Sequence, residues 1–238
     1  MLIRSIYLIV CFKNYNFLNI FKTPNRNYMK RLIASVMVLF LFSCAASKSG
    51  SAKWISLFDG RSLNGWKVGD HAASFKVENG TIVANGDVAH LFYDGPVMDH
   101  NFKNFEFKAS VMTTPGSNSG LYFHTQYQEK GFPKIGYEVQ VNNSHTDWRR
   151  TGSLYAVSDV KELYVKDNEW YTESFTVQDK RVIIKINDKV VVDYTDPESE
   201  IKPGDMKGRI NSSGTFALQG HDPKSKVFYK NIMVRSLP

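Results

Sequence analysis

From Phe75 to its end this chain keeps returning to one pattern, apolar and polar side chains alternating with a period of two, and no segment after residue 44 sustains a helical period. The clearest run is Phe105-Glu106-Phe107-Lys108-Ala109-Ser110-Val111, which places Phe105, Phe107, Ala109 and Val111 against a core and the others toward water. Phe75 to Val83 forms a hairpin, because Asn79-Gly80 supplies the two positive φ angles of a tight type I′ turn. Arg181 to Ile186 and Val190 to Tyr194 form another, turning at Asn187-Asp188, which tolerate left-handed backbone. Strands are also expected at 121–125, 136–142, 169–177, 214–221 and 227–236, with one short helical turn at 159–165. Many short strands with turns at close spacing define an all-β class, a single-domain jelly-roll sandwich of antiparallel strands. Trp54, Phe58 and Trp66 are placed in its core as large aromatics.

The 238 residues carry a formal charge of +7, which by itself suggests a polyanionic partner. Its location removes that suggestion. Six of the 30 basic residues lie in residues 1–44, which hold no acidic residue, so the remainder has 24 basic against 23 acidic residues and a formal charge of +1. No nucleic-acid partner is expected. Met29-Lys30-Arg31 followed by the apolar run Leu32 to Phe42 is a charged and then hydrophobic leader too short to span a bilayer. It ends at Ser43-Cys44 and resembles a bacterial lipoprotein signal. The expected organisation is an upstream extension at 1–28, a signal at 29–44 with lipidation on Cys44, a small polar tether at 45–53 and a jelly-roll domain at 54–238. The protein would then sit in the bacterial cell envelope, facing the periplasm and touching the membrane only through its lipid. Cys11 and Cys44 are the only cysteines, so the domain has no internal disulfide and must be stabilised by packing.

The candidate chemistry concentrates between Ser117 and Tyr155. Strand parity puts Tyr137, Val139 and Val141 inward and Glu138, Gln140 and Asn142 on the opposite face, with Tyr122 and His124 of the neighbouring strand turned the same way as those three. A surface kept only for solubility favours Lys and Glu, whereas Tyr, His, Gln and Asn are more typical of recognition. Trp148, next to Arg149 and Arg150, is a platform on which a sugar could stack. The six histidines form no helical zinc signature, although strands could assemble a divalent metal site from His124, Glu138 and His221. No nucleophile elbow or dinucleotide cradle is present. Laminarinase-like jelly rolls carry Glu-x-Asp-x-x-Glu on one strand, and the corresponding run here is Glu138-Val-Gln140-Val-Asn142, with one carboxylate. Ordinary glycoside hydrolysis needs two, roughly 5 to 9.5 Å apart. A partner such as Asp147 would have to come from a loop.

Taken together, Leu57-Phe58-Asp59-Gly60 with Leu63 and Trp66, Asn118 to Phe123, Gly136 to Gln140, Thr151 to Tyr155, Leu218 to His221 and Phe228 to Ile232 resemble the 3-keto-disaccharide hydrolase domain family over about residues 54 to 236. That resemblance implies a concanavalin-like jelly roll and cleavage of glycosides oxidised to a ketone at C3. The ketone acidifies the C2 hydrogen, so one base can remove it and the enolate can expel the C1 oxygen before water adds. On this basis Glu138 or His124 is the expected base. His221 and Gln219 hold the keto oxygen directly or through a divalent metal, and Tyr155 and His145 assist the leaving group. Tyr122, Gln140, Asn142 and Trp148 complete the expected substrate surface. The alternatives are a non-catalytic carbohydrate-binding module and an envelope scaffold with the same body.

Overall fold

A computed structural model describes residues 52–197, 208–209 and 212–238. The proposed leader, Cys44 and most of the tether lie outside the described residues. Among the described residues, thirteen strands form two antiparallel sheets. The larger has the order β11-β10-β9-β6-β13-β4-β3, in which β3 is Phe75–Glu78, β4 Thr81–Ala84, β6 Phe105–Thr113, β9 Tyr171–Gln178, β10 Arg181–Ile186, β11 Lys189–Thr195 and β13 Val227–Ser236. The short β1 (Ile55–Ser56) adds to β13. The smaller sheet runs β2-β5-β12-β7-β8, comprising Trp66–Val68, Ala89–Tyr93, Thr215–Gly220, Ser119–Thr125 and Tyr137–Val141. This is an all-β jelly-roll sandwich.

Local sequence accounts for most of these elements. Asn79 and Gly80 have φ of 49° and 77°, and Asn187 and Asp188 have 46° and 67°, so both hairpins turn where left-handed backbone was expected. Along β6 buried and half-buried residues alternate without interruption. Phe102, Phe105, Phe107, Phe123, Phe175 and Phe216 meet between the sheets, with Phe107 stacked on Phe175 at 4.7 Å. Each such ring contributes about 1.5 to 3 kcal/mol on burial, which stands in for the missing disulfide.

Three local expectations change. Residues 159–165 form no helical turn, since the Val160 carbonyl accepts from Arg150 N–H and its own N–H donates to the Ser153 hydroxyl. Trp66 and Phe58 enter the core, but Trp54 lies half-buried on the surface beneath Lys108 and Arg235. The third concerns β7. Its register with β12 passes from Thr125↔Thr215 to Tyr122↔Ala217, three residues advancing against two, with His124 at φ 53°. Such a bulge reverses side-chain facing beyond it. His124 therefore turns its ring onto Phe105 and Phe123 rather than onto the face of Tyr122.

Candidate functional site

The face of the smaller sheet turned away from the core carries Glu138 and Gln140 on β8, Tyr122 on β7 and Gln219 on β12, all buried under loops. With Asn118, Asp147, Tyr155, Arg209 and His221 these residues surround a cavity of about 350 Å³. The Tyr122 hydroxyl donates to Glu138 Oε2 at 2.8 Å and Gln219 Nε2 donates to Oε1 at 3.1 Å. Arg209 Nη2 stands 3.9 Å from Oε2. Burial raises the carboxyl's pKa, while Arg209, Tyr122 and Gln219 pull it back. The result is an oriented carboxylate of increased basicity. The side chain lies directly over Gly120, where an added Cβ would fall 2.5 Å from Oε1. Gly120 thus makes the room that Glu138 occupies.

Two imidazoles meet at the rim, with ring centroids of His145 and His221 5.4 Å apart. His221 Nδ1 is 2.7 Å from Asp222 Oδ2. Burial works against ionisation of Asp222, but hydrogen bonds from His221, Ser225 and the Lys224 backbone hold its pKa at about 2. An ionised carboxylate only accepts, so Nδ1 of His221 carries a proton and the accepting position of the ring falls on Nε2. His145 is the reverse case. Its Nδ1 accepts from Asp147 N–H at 3.1 Å, which leaves the proton on Nε2. The rim therefore presents one proton acceptor beside one donor.

The residues singled out from sequence divide into three groups. Glu138, Gln140, Tyr122, Tyr155, Gln219 and His221 line the cavity, and His145 flanks it. Asn142 shapes the site indirectly, its amide donating to the Asp147 and Arg149 carbonyls and so pinning the loop that carries His145 and Asp147. Trp148 is 47% exposed, packed with Arg149 and Lys161, and does not line the cavity. His124 is separated from the others, because the bulge seats it where Nε2 meets the Lys103 carbonyl and Nδ1 accepts from Ser212 N–H. The metal set His124, Glu138 and His221 is consequently not brought together. His145, His221 and Asp222 instead offer ligand atoms within 4.8 Å of one another, a donor set that suits a divalent transition metal.

Sequence reasoning passed over Asn118, Arg209 and Asp222. Asp222 follows His221 directly and was open to discovery as its partner. Arg209 lies in a stretch with no periodic pattern and gave no signal. Asn118 accepts from Gln140 Nε2 at 3.1 Å and so links β8 to the loop before β7.

Fold and site together define a concanavalin-like or galectin-like sandwich with a polar pocket, floored by a buried carboxylate, outside its smaller sheet. The profile of the 3-keto-alpha-glucoside-1,2-lyase-like domain matches residues 53–235, and the chain belongs to that family. It is 26% identical over 230 residues to the 3-keto-disaccharide hydrolase of Bacteroides thetaiotaomicron, spanning 77% of this chain and 78% of that one. Among solved structures, a glycosyl hydrolase candidate of Parabacteroides distasonis superposes with a TM-score of 0.64 at 24% identity, over 78% of this chain and 94% of that one. A galectin-like protein of Bacillus subtilis gives 0.54 at 13% identity, over 79% and 97%.

Proposed function

We propose that this protein cleaves 3-keto glycosides by removing the C2 proton, expelling the C1 oxygen and adding water to the product. The observation that carries this reading is Glu138, a carboxylate 5% exposed, raised in basicity by burial and held by Tyr122 and Gln219 at the floor of a sugar-sized cavity. Glu138 takes the C2 proton, and the C–H electrons move into a C2–C3 double bond with the negative charge on the C3 oxygen. Arg209, its side chain 14% exposed beside Glu138, is a cation of the cavity that can meet that developing charge. The charge then returns to restore the ketone as the C1–O bond breaks. His145, with its proton on Nε2, protonates the departing oxygen, and the accepting Nε2 of His221 takes a proton from the water that adds at C1. Glu138, its proton exchanged with solvent, protonates C2, and transfer of a proton from His221 to the adjacent His145 restores both rings and completes a net hydrolysis. A divalent cation held by His145, His221 and Asp222 would replace the proton transfers of these two rings, supplying polarisation of a substrate oxygen in their place.

A second reading rests on Asp147, which lines the same cavity as Glu138 and would be the second carboxylate of an ordinary glycosidase. Reaction in deuterium oxide separates the two. The elimination route predicts that a 3-keto glucoside yields a 3-keto sugar deuterated at C2 and that the unoxidised glucoside is inert. Comparable cleavage of the unoxidised glucoside without deuterium at C2 would replace it with the two-carboxylate route. Saturable binding of either with no turnover would make the domain a binding module.

A further inference from the structure

The outer face of the larger sheet, on the opposite side of the sandwich from the cavity, carries an uneven charge. Strand parity and register put six cations on it, Lys76, Lys108, Arg181, Lys185, Lys230 and Arg235, against the three carboxylates of Glu78, Glu106 and Asp193. Each carboxylate is already matched. Glu78 holds Lys76 at 2.8 Å, Asp193 holds Arg181 at 2.6 Å, and Glu106 pairs with Arg235. Lys108, Lys185 and Lys230 have no carboxylate within ion-pair distance among the described residues. They leave three positive charges on one face of a domain whose formal charge over residues 45–238 is only +1. A face kept only for solubility intersperses the two signs.

Indole rings stand among these lysines. Lys230 Nζ lies 3.9 Å from the ring centre of Trp170, which is 39% exposed, and Lys108 Nζ lies 4.3 Å from that of Trp54. Lys108 and Lys185 flank Ser174 across β9, two strand spacings apart, roughly 10 Å, and half-buried Met233 continues the row on β13. A broad sheet face with indoles and lysine stems laid over them suits a bilayer surface, where the ring sits at headgroup level and the ammonium meets phosphate. Anionic lipid adds an attraction for each such cation. Trp54 is also where the chain enters the domain, and residues 45–53 reach at most about 35 Å back to Cys44. A lipid on Cys44 would hold this part of the domain close to the bilayer.

We propose that the outer face of the larger sheet docks on the surface of an anionic phospholipid bilayer through Lys108, Lys185, Lys230 and Trp170, a contact beyond the expected lipid. The cavity over the smaller sheet then opens away from the membrane. Tryptophan quenching in the full chain, bound to vesicles of brominated phosphatidylglycerol or brominated phosphatidylcholine, tests this. Comparison with Trp170→Phe isolates the signal of Trp170, and comparison with Trp148→Phe that of Trp148, which lies in the loop after β8 of the smaller sheet. Trp170 should be quenched about threefold more than Trp148 on phosphatidylglycerol, and the difference should vanish on phosphatidylcholine and in about 0.5 M salt. Lys108→Gln, Lys185→Gln and Lys230→Gln together should remove it. Lys67→Gln, Lys130→Gln and Lys166→Gln together, the same change of charge outside the larger sheet, should leave it. Near-UV circular dichroism establishes that each variant is folded, and the salt dependence of the parent needs no variant. The leader is common to every variant, so its own affinity for lipid cannot produce these differences. Equal quenching of Trp148 and Trp170 on phosphatidylglycerol would mean that the leader alone holds the protein and would overturn the docking face. A difference that persists on phosphatidylcholine, or that survives the three lysine changes on the face, would overturn it too. Retention on dextran sulfate that those three changes abolish, with no quenching of Trp170, would replace the bilayer with a soluble polyanion.

Discussion

Glu138 and Glu173 are both buried, at 5% and 0% exposure, and both carboxyls are pushed toward the neutral form by loss of water. Their surroundings differ completely. Glu138 looks away from the core, where Tyr122 and Gln219 donate to its two oxygens and Arg209 stands alongside. Glu173 points between the sheets, on the face of β9 that also carries Tyr171, Phe175 and Val177, and neither oxygen has a hydrogen-bond partner among the described residues. The nearby Gly152 N–H is committed to the Gln140 carbonyl. Burial alone thus makes an acid that stays protonated, whereas burial with donors and a cation makes a base that can cycle between its two forms.

The largest expected effect separates the two residues by activity. Glu138→Gln should lower turnover of a 3-keto glycoside by roughly 10² to 10⁴, the range for loss of a general base. Glu173→Gln, measured in the same assay, should stay within about twofold of the parent. Similar losses in both would show that burial, and not the outer-face setting, is what matters. A smaller effect is expected at Gly120. The Cβ of Gly120→Ala would displace the Glu138 carboxylate, and a shift of that size costs on the order of 10² in kcat. Unchanged kcat would mean that Glu138 need not lie flat on β7.

A further effect is on stability rather than on rate, and it carries a definite sign. The unfolded chain releases the Glu173 proton above its ordinary value of 4.5, whereas burial keeps the proton bound in the folded chain to a much higher pH. Stability is therefore lost as pH rises above 4.5 toward the folded pKa, by about 1.4 kcal/mol for each pH unit. Glu173→Gln removes this slope. The parent's urea midpoint should be lower at pH 8 than at pH 5, and the two midpoints should lie closer together in the variant. Parallel pH profiles would show that the Glu173 carboxyl finds a partner after all.

What the sequence determined by itself is whatever depends on neighbours a few residues away. The period of two identified the strands, Asn79-Gly80 and Asn187-Asp188 located two turns, and parity set Glu138 and Gln140 opposite Tyr137, Val139 and Val141. These follow from local backbone sterics, and they carried both the fold class and the floor of the site. The tertiary structure decided the rest. A bulge formed only where β7 pairs with β12 turned His124 inward, although its alternation with Tyr122 and Phe123 pointed the other way. Arg209 reaches Glu138 from a segment 71 residues further along the chain, and His90 meets Gln219 only through the register of β5 with β12. Register, bulges and loop closure depend on contacts between segments far apart in sequence, so a pattern read along the chain holds no record of them.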